Sequence, residues 1–208
     1  TANPLLKNLG GCDYHLSPGS PCINAGLVYR GTIDLDGNPR VAEGVVDMGA
    51  YERPGCYFVS PAGAHLAPFA SWASAATNIQ AALDEAHAGA TVLVTNGVYA
   101  GNLAAARAVT LDSVEGRGAT IVDGDDLHPC ATLNAAATLD GFTLEHGCGE
   151  QGGGLHVAAT GATIRNCLVR ACAAPDGAGI YFAAGTGTVE NCILRSNQTS
   201  GSPGRGGG

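Results

Sequence analysis

Along the C-terminal half of the chain the apolar positions recur with a constant 25-residue period. Phe142, Cys167 and Cys192 share one phase of the repeat, and Leu144, Val169 and Leu194 share another. A glycine-rich turn and a second apolar stretch follow each time, so that Gly152 precedes Gly177 and Leu155 precedes Ile180 by the same interval. Short apolar runs at a fixed period, punctuated by Gly and Asn, are what one coil of a β-solenoid requires, because a single coil cannot bury its own apolar face. The two phases predict inward columns in which each residue lies over its successor, with hydrogen bonds running from coil to coil. Gly141, Asn166 and Asn191 share a third phase, and Asn166 over Asn191 predicts a corner, since asparagine tolerates left-handed backbone and its amide can bond along the stack. Outward columns support the same alignment: Asp140, Arg165 and Glu190 alternate in sign, and Glu145, Arg170 and Arg195 bring another opposite pair together.

Upstream the pattern changes period. Trp72, Ala75, Ala76, Ile79, Ala82, Leu83 and Ala86 recur at helical spacing and predict a helix over about 73–88, with His87 and Gly89 at its C-terminal end. Such a helix would cover the first coil and shield its open edge. The apolar runs 91–99, 108–114 and 119–124 read as strands, too irregularly spaced to fix a coil length.

Glycine at 32 of 208 residues and scarce aromatics fit a fold of tight turns and small side chains. A net charge of −8, with Lys7 the only lysine beside nine arginines, argues against a nucleic-acid partner, which needs clustered positive charge. No apolar run is long enough for a membrane-spanning helix. Eight cysteines without a CxxC pair disfavour a zinc site and favour an oxidising, external location. Cys12 with Cys22, and Cys148 with Cys172, are disulfide candidates, whereas Cys167 and Cys192 read as small buried apolar side chains.

The chemistry on offer is sparse. Asp34, Asp36 and Asn38 around Gly37 resemble the first half of a calcium loop, but Val45 stands where a bidentate Glu belongs, and a turn with Arg40 paired to Asp47 is the plainer reading. Asp123, Asp125 and Asp126 form a second acidic group without a nearby lysine. His146 and His156, near Glu145 and Glu150, invite an acid–base or metal reading; His156 shares its column with Tyr181, so an outward aromatic strip able to contact a glycan is expected there. No nucleophile elbow, zinc-protease, phosphate-loop or dinucleotide motif is present. Asn197-Gln198-Thr199 is a glycosylation sequon.

The segments YFVSPAG, SWASAATNIQAALDEA and TVLVTNGVY resemble the opening of pectate-lyase-like right-handed β-helix proteins of bacterial surfaces. CDYHLSPGSPCINAG, DLDGNPR and VDMGAYE, within residues 12–52, resemble the ending of the same class, a segment of choice-of-anchor Q type. The fold expected is therefore all-β, a right-handed parallel β-helix with coils of about 25 residues and one N-terminal capping α-helix. Residues 1–55 would be a tail resembling the C-terminal end of such a protein, and 56–208 the capping helix and coils, the last coil incomplete. This inverted order suits a fragment, a window of a tandem array, or a subunit whose tail covers the open end of its neighbour. The function expected is an extracellular or cell-surface structural or adhesive module of a bacterium, assembling head-to-tail with copies of itself and without catalysis. A polysaccharide-cleaving enzyme or a glycan-binding module is the alternative. No cofactor is required on this reading, and calcium is an optional ligand.

Overall fold

The computed structural model describes residues 3–11, 13–27, 32–37, 40, 46–53, 55–184 and 186–199. Cys12 and Asn38 lie outside the described residues, so the Cys12–Cys22 pairing and the third calcium ligand are not placed. The chain forms two compact units, 1–56 and 57–208.

The larger unit is a parallel β-helix with three stacked faces. Six strands build the first face: Cys56–Val59, Thr91–Val94, Thr110–Ser113, Thr138–Asp140, Ala162–Arg165 and Gly187–Glu190. The second face stacks Gly97–Ala100, Thr120–Asp123, Thr143–Glu145, Leu168–Arg170 and Ile193–Arg195, and the third stacks Leu103–Ala105, Ala131–Leu133, Leu155–Val157 and Ile180–Phe182. Inward side chains from the three faces meet along the axis. Leu139 lies over Ile164 and Leu144 over Val169, all fully or almost fully buried, as the repeating columns require. Phe142 and Cys167 are buried with them. The expected outward columns also form: Asp140 pairs with Arg165 (2.7 Å), and Glu145 with Arg170 (2.6 Å from Nε).

Two corners turn the chain between faces. At the first, Gly141, Asn166 and Asn191 all adopt left-handed backbone, at φ +78°, +56° and +49°. The amides ladder along it: Asn191 Nδ2 donates to Asn166 Oδ1 and Asn166 Nδ2 to Asp140 Oδ1, each at 2.7 Å. At the second, His146, Ala171 and Ser196 take the same backbone at φ +51°, +52° and +57°.

The helix is shorter than its periodicity suggests, spanning Ile79–Glu85. Asn78 caps it by accepting from the Ala81 N–H at 2.8 Å, and upstream Trp72 lies in a turn while Ala76 joins a β-bridge. Ala76 bridges Val59 in parallel, its N–H donating to the Phe58 carbonyl (2.8 Å). Ile79, Ala82 and Leu83 bury against the first coil. Gln80 then closes the strand edge there: the Ala104 N–H donates to Gln80 Oε1 at 2.8 Å and Gln80 Nε2 donates to the Ala104 carbonyl at 3.4 Å. A side-chain amide thus stands where a further strand would pair, which protects an edge from unwanted partners.

The smaller unit is loop-rich. Leu6–Asn8 pairs antiparallel with Asp13–Leu16 through a 3-10 turn at Leu9–Gly11. Its interior is polar: Asp34, Arg40, Asp47, Glu52 and Arg53 are buried, with Arg40 paired to Glu52 at 3.1 Å. Asp47 accepts the N–H groups of Asn24 (2.7 Å) and Arg53 (2.9 Å), so it acts as a backbone clamp.

His15 ties two turns of this unit together. Its Nδ1 meets Asp13, its Nε2 lies 2.6 Å from Asp36 Oδ2, and the ring stacks on Tyr51 with centroids 4.0 Å apart. Burial pushes the imidazole pKa down, but the hydrogen bonds and charges of Asp36 and Asp13 outweigh it and hold the value above 6.5. Because the folded value is raised, the imidazolium stabilises the unit fully below the unfolded value, and this contribution disappears as pH rises through the folded one. Melting followed from pH 5.5 to about pH 9 should therefore show stability falling as pH rises past about 6.5; His15→Gln should remove that slope, and a slope unchanged by the substitution would place its origin elsewhere.

Candidate functional surfaces

At the far end of the described coils the interior columns come to the surface. Ile164 and Val169 are 0% exposed, yet Val189 and Leu194, one coil later in the same columns, are 43% and 38% exposed. Cys192 is likewise half-buried where Cys167 is fully buried. Each inner residue is covered by the next coil, whereas the strands Gly187–Glu190 and Ile193–Arg195 have no successor among the described residues. An apolar face rimmed by unpaired strand edges can accept another strand or coil. At the other end of the solenoid the helix and Gln80 already occupy the corresponding places.

On the outer wall, Asp123, Glu145 and His146 meet at the second corner. One candidate ligand atom from each lies within 4.8 Å of the others. His146 Nδ1 is 3.2 Å from Asp123 Oδ1, and that contact raises the His146 pKa. Both Nε and Nη2 of Arg170 point to Glu145 Oε2, at 2.6 and 2.5 Å. The negative charge of the cluster is thus met by its own neighbours. Asp125 and Asp126 serve the turn itself, in left-handed backbone, with the Asp125 N–H donating to Asp123 Oδ1 (2.9 Å) and the Asp126 N–H to the His146 carbonyl (2.7 Å).

In the smaller unit the Asp34 carboxylate is likewise engaged, accepting the N–H groups of Asp36 (2.9 Å) and Glu52 (2.8 Å), while Asp36 is held by His15. This is the hydrogen-bonding of a turn, in which an aspartate satisfies nearby backbone.

His156 and Tyr181 occupy one outward column, and their rings stack with centroids 5.7 Å apart and planes 20° from parallel. Gln151 Nε2 donates to the Tyr181 hydroxyl at 3.0 Å. The ring faces that a sugar would use are turned partly on one another.

One outward column escaped sequence reasoning. Thr91, Thr110, Thr138, Thr163 and Thr188 stand in register on the first face. Thr138, Thr163 and Thr188 carry the repeat signal, while irregular earlier coils hide the other two. Cross-strand threonine pairs support a sheet by tenths of a kcal/mol each.

Cys148 bridges Ala173 in the next coil, and the Cys172 thiol meets Cys130 instead; Cys22, Cys148 and Cys172 all carry free thiols.

Set against protein-family models, curated proteins and solved structures, the chain matches none of them. The resemblance to pectate-lyase-like surface proteins and to the choice-of-anchor Q segment therefore stands on the quoted residues alone. The parallel β-helix stands on the strand register.

Proposed function

We propose that the chain is a structural solenoid module of a bacterial surface, assembled along its axis so that the smaller unit of one copy packs on the exposed apolar residues of the last described coil of the next. The observation that carries this reading is the exposure of Val189 and Leu194, which continue the interior columns into the last described coil. The helix-capped opposite end blocks direct coil-on-coil stacking of two copies, which directs the choice of cover to residues 3–53. That segment has much apolar surface to lose, with Leu27, Leu35 and Leu9 exposed at 91%, 73% and 66%, and its small antiparallel sheet offers strand edges for pairing. A head-to-tail contact of this kind does not close on itself and so generates a fibre.

Light scattering across a wide concentration range, with electron microscopy of the same samples, tests the assembly. Growth into fibres one solenoid wide is expected, and Leu194→Asp should abolish it while leaving the circular dichroism of the monomer intact. Discrete monomers at every concentration would overturn the reading.

A further inference from the structure

Four cysteines meet in two pairs inside the solenoid, Cys167 with Cys192 and Cys130 with Cys172. The first pair follows from the register. Leu168 lies beside Ile193, and the Ile193 N–H donates to the Cys167 carbonyl at 2.9 Å, so the two cysteines are neighbours on adjacent parallel strands. Their side chains take the same posture. Cys167 Sγ lies 3.7 Å from the Leu139 carbonyl and 3.1 Å from that of Arg165; Cys192 Sγ lies 3.6 Å from Ile164 and 3.2 Å from Glu190, each one coil on. Neighbouring strands sit about 4.7–4.9 Å apart, inside the roughly 4.4–6.8 Å between Cα atoms that a disulfide spans.

The two members differ in access and reactivity. Cys167 is fully buried, whereas Cys192 is half-buried on the open face. A hydrogen bond with the Cys167 side chain, backbone hydrogen bonds at Cys167 and Glu190, and the nearby Arg117, whose Nη1 donates to the Asn191 carbonyl at 2.9 Å, hold the Cys192 thiol down at about 6. The Cys167 thiol is pushed up by the same hydrogen bond and by burial. One sulfur is thus the nucleophile and the other the resolving thiol.

We infer that Cys192 is a modification site for low-molecular-weight disulfides and that Cys167 resolves the adduct into a disulfide joining the last two described coils. The Cys192 thiolate attacks one sulfur of R–S–S–R, forming Cys192–S–S–R and releasing R–S⁻. That thiolate takes the Cys167 proton; the Cys167 sulfur attacks Cys192 Sγ and displaces the second R–S⁻, which takes the proton that Cys192 gave up to solvent. Two protein thiols are oxidised, and one small disulfide is reduced to two thiols. The step does not depend on the assembly proposed above; a cover over the open end would slow it without changing the product.

The second pair is the internal contrast. Cys130 and Cys172 are almost completely buried, with the Cys130 thiol donating to the Glu145 carbonyl and the Cys172 thiol to that of Leu144, so they are far less exposed than Cys192.

The full chain, reduced and then incubated with oxidised glutathione, is quenched with an alkylating agent, denatured, and cleaved at Arg and Glu so that Cys172 and Cys192 separate. Mass spectrometry should find Cys167 linked to Cys192, with Cys130 and Cys172 modified only after denaturation. The initial rate should level off above about pH 7 instead of climbing toward the 8.5 of an ordinary thiol. Cys167→Ala should stop at the glutathione adduct on Cys192, and Cys192→Ser, at the half-buried position, should leave Cys167 unreacted. A stable adduct on Cys192 in the unsubstituted chain, a linkage through Cys130 or Cys172, or no reaction in the native state would each overturn the inference.

Discussion

Gly147→Ala is expected to destabilise the solenoid by about 3 kcal/mol or more, at or above the top of the range for overpacked cores. A methyl group at this position would lie 1.9 Å from the Gly153 carbonyl oxygen and 2.8 Å from Cys130 Sγ. Neither atom can retreat. The Gly153 oxygen accepts the Cys130 N–H at 3.1 Å, and the Gly147 carbonyl itself accepts from Ala173 at 2.8 Å, so the backbone is clamped on both sides. Gly147 stands one full repeat before Cys172, and its missing side chain is what lets Cys130 reach across to that thiol. Against a total stability of roughly 5–15 kcal/mol the loss is large. A urea melt should show a sharply lower midpoint. Gly118→Ala is the control: no atom lies within 4 Å of its added methyl, and the effect should stay within about 0.5 kcal/mol. Equal midpoints for the two variants would sink the packing account.

Phe142→Ala should cost about 3–5 kcal/mol. The ring is fully buried and is the largest member of its column, the later coils carrying Cys167 and Cys192 in its place. Its carbonyl holds the Leu168 N–H at 2.8 Å, so the strands cannot close over the void. Cys167→Ala, which removes one atom from the same column, should cost far less. Paired denaturation curves measure the difference, and a small loss for Phe142→Ala would mean that the interior repacks freely.

What could be read from the sequence tracks the regularity of the coils. On the first face Leu139 lies over Ile164 and Ile164 over Val189, two equal steps of one repeat, and every column quoted from the apolar pattern comes from this stretch. Before it, Val92 lies over Leu111 and Leu111 over Leu139, one step shorter than the repeat and one longer, because the turns between faces differ in length from coil to coil. Unequal steps erase a period without disturbing the stack. The first corner was legible because Gly141, Asn166 and Asn191 are the residues that accept left-handed backbone. The second was not, since Ala171 and Ser196 have no such preference and His146 alone does not announce a column. The helix was overextended because Ala75 and Ala76 fit its apolar stripe equally well as extended chain beside Val59. Of the candidate surfaces, the charge columns and the His156–Tyr181 strip were visible as register. The Cys130–Cys172 contact was not, because the two cysteines share no phase of the repeat and meet only through the absent side chain at Gly147.

The ladder of coils, each leaning only on its neighbours, also determines how the molecule yields to force. Tension applied at Thr199 loads the last described coil, and that coil can peel without loosening the one beneath. Each release lengthens the chain by about 25 residues, roughly 85 Å when extended, and shortens the stack by only about 4.8 Å. The regular coils give way one at a time and re-zip when slack returns, behaving as a molecular shock absorber.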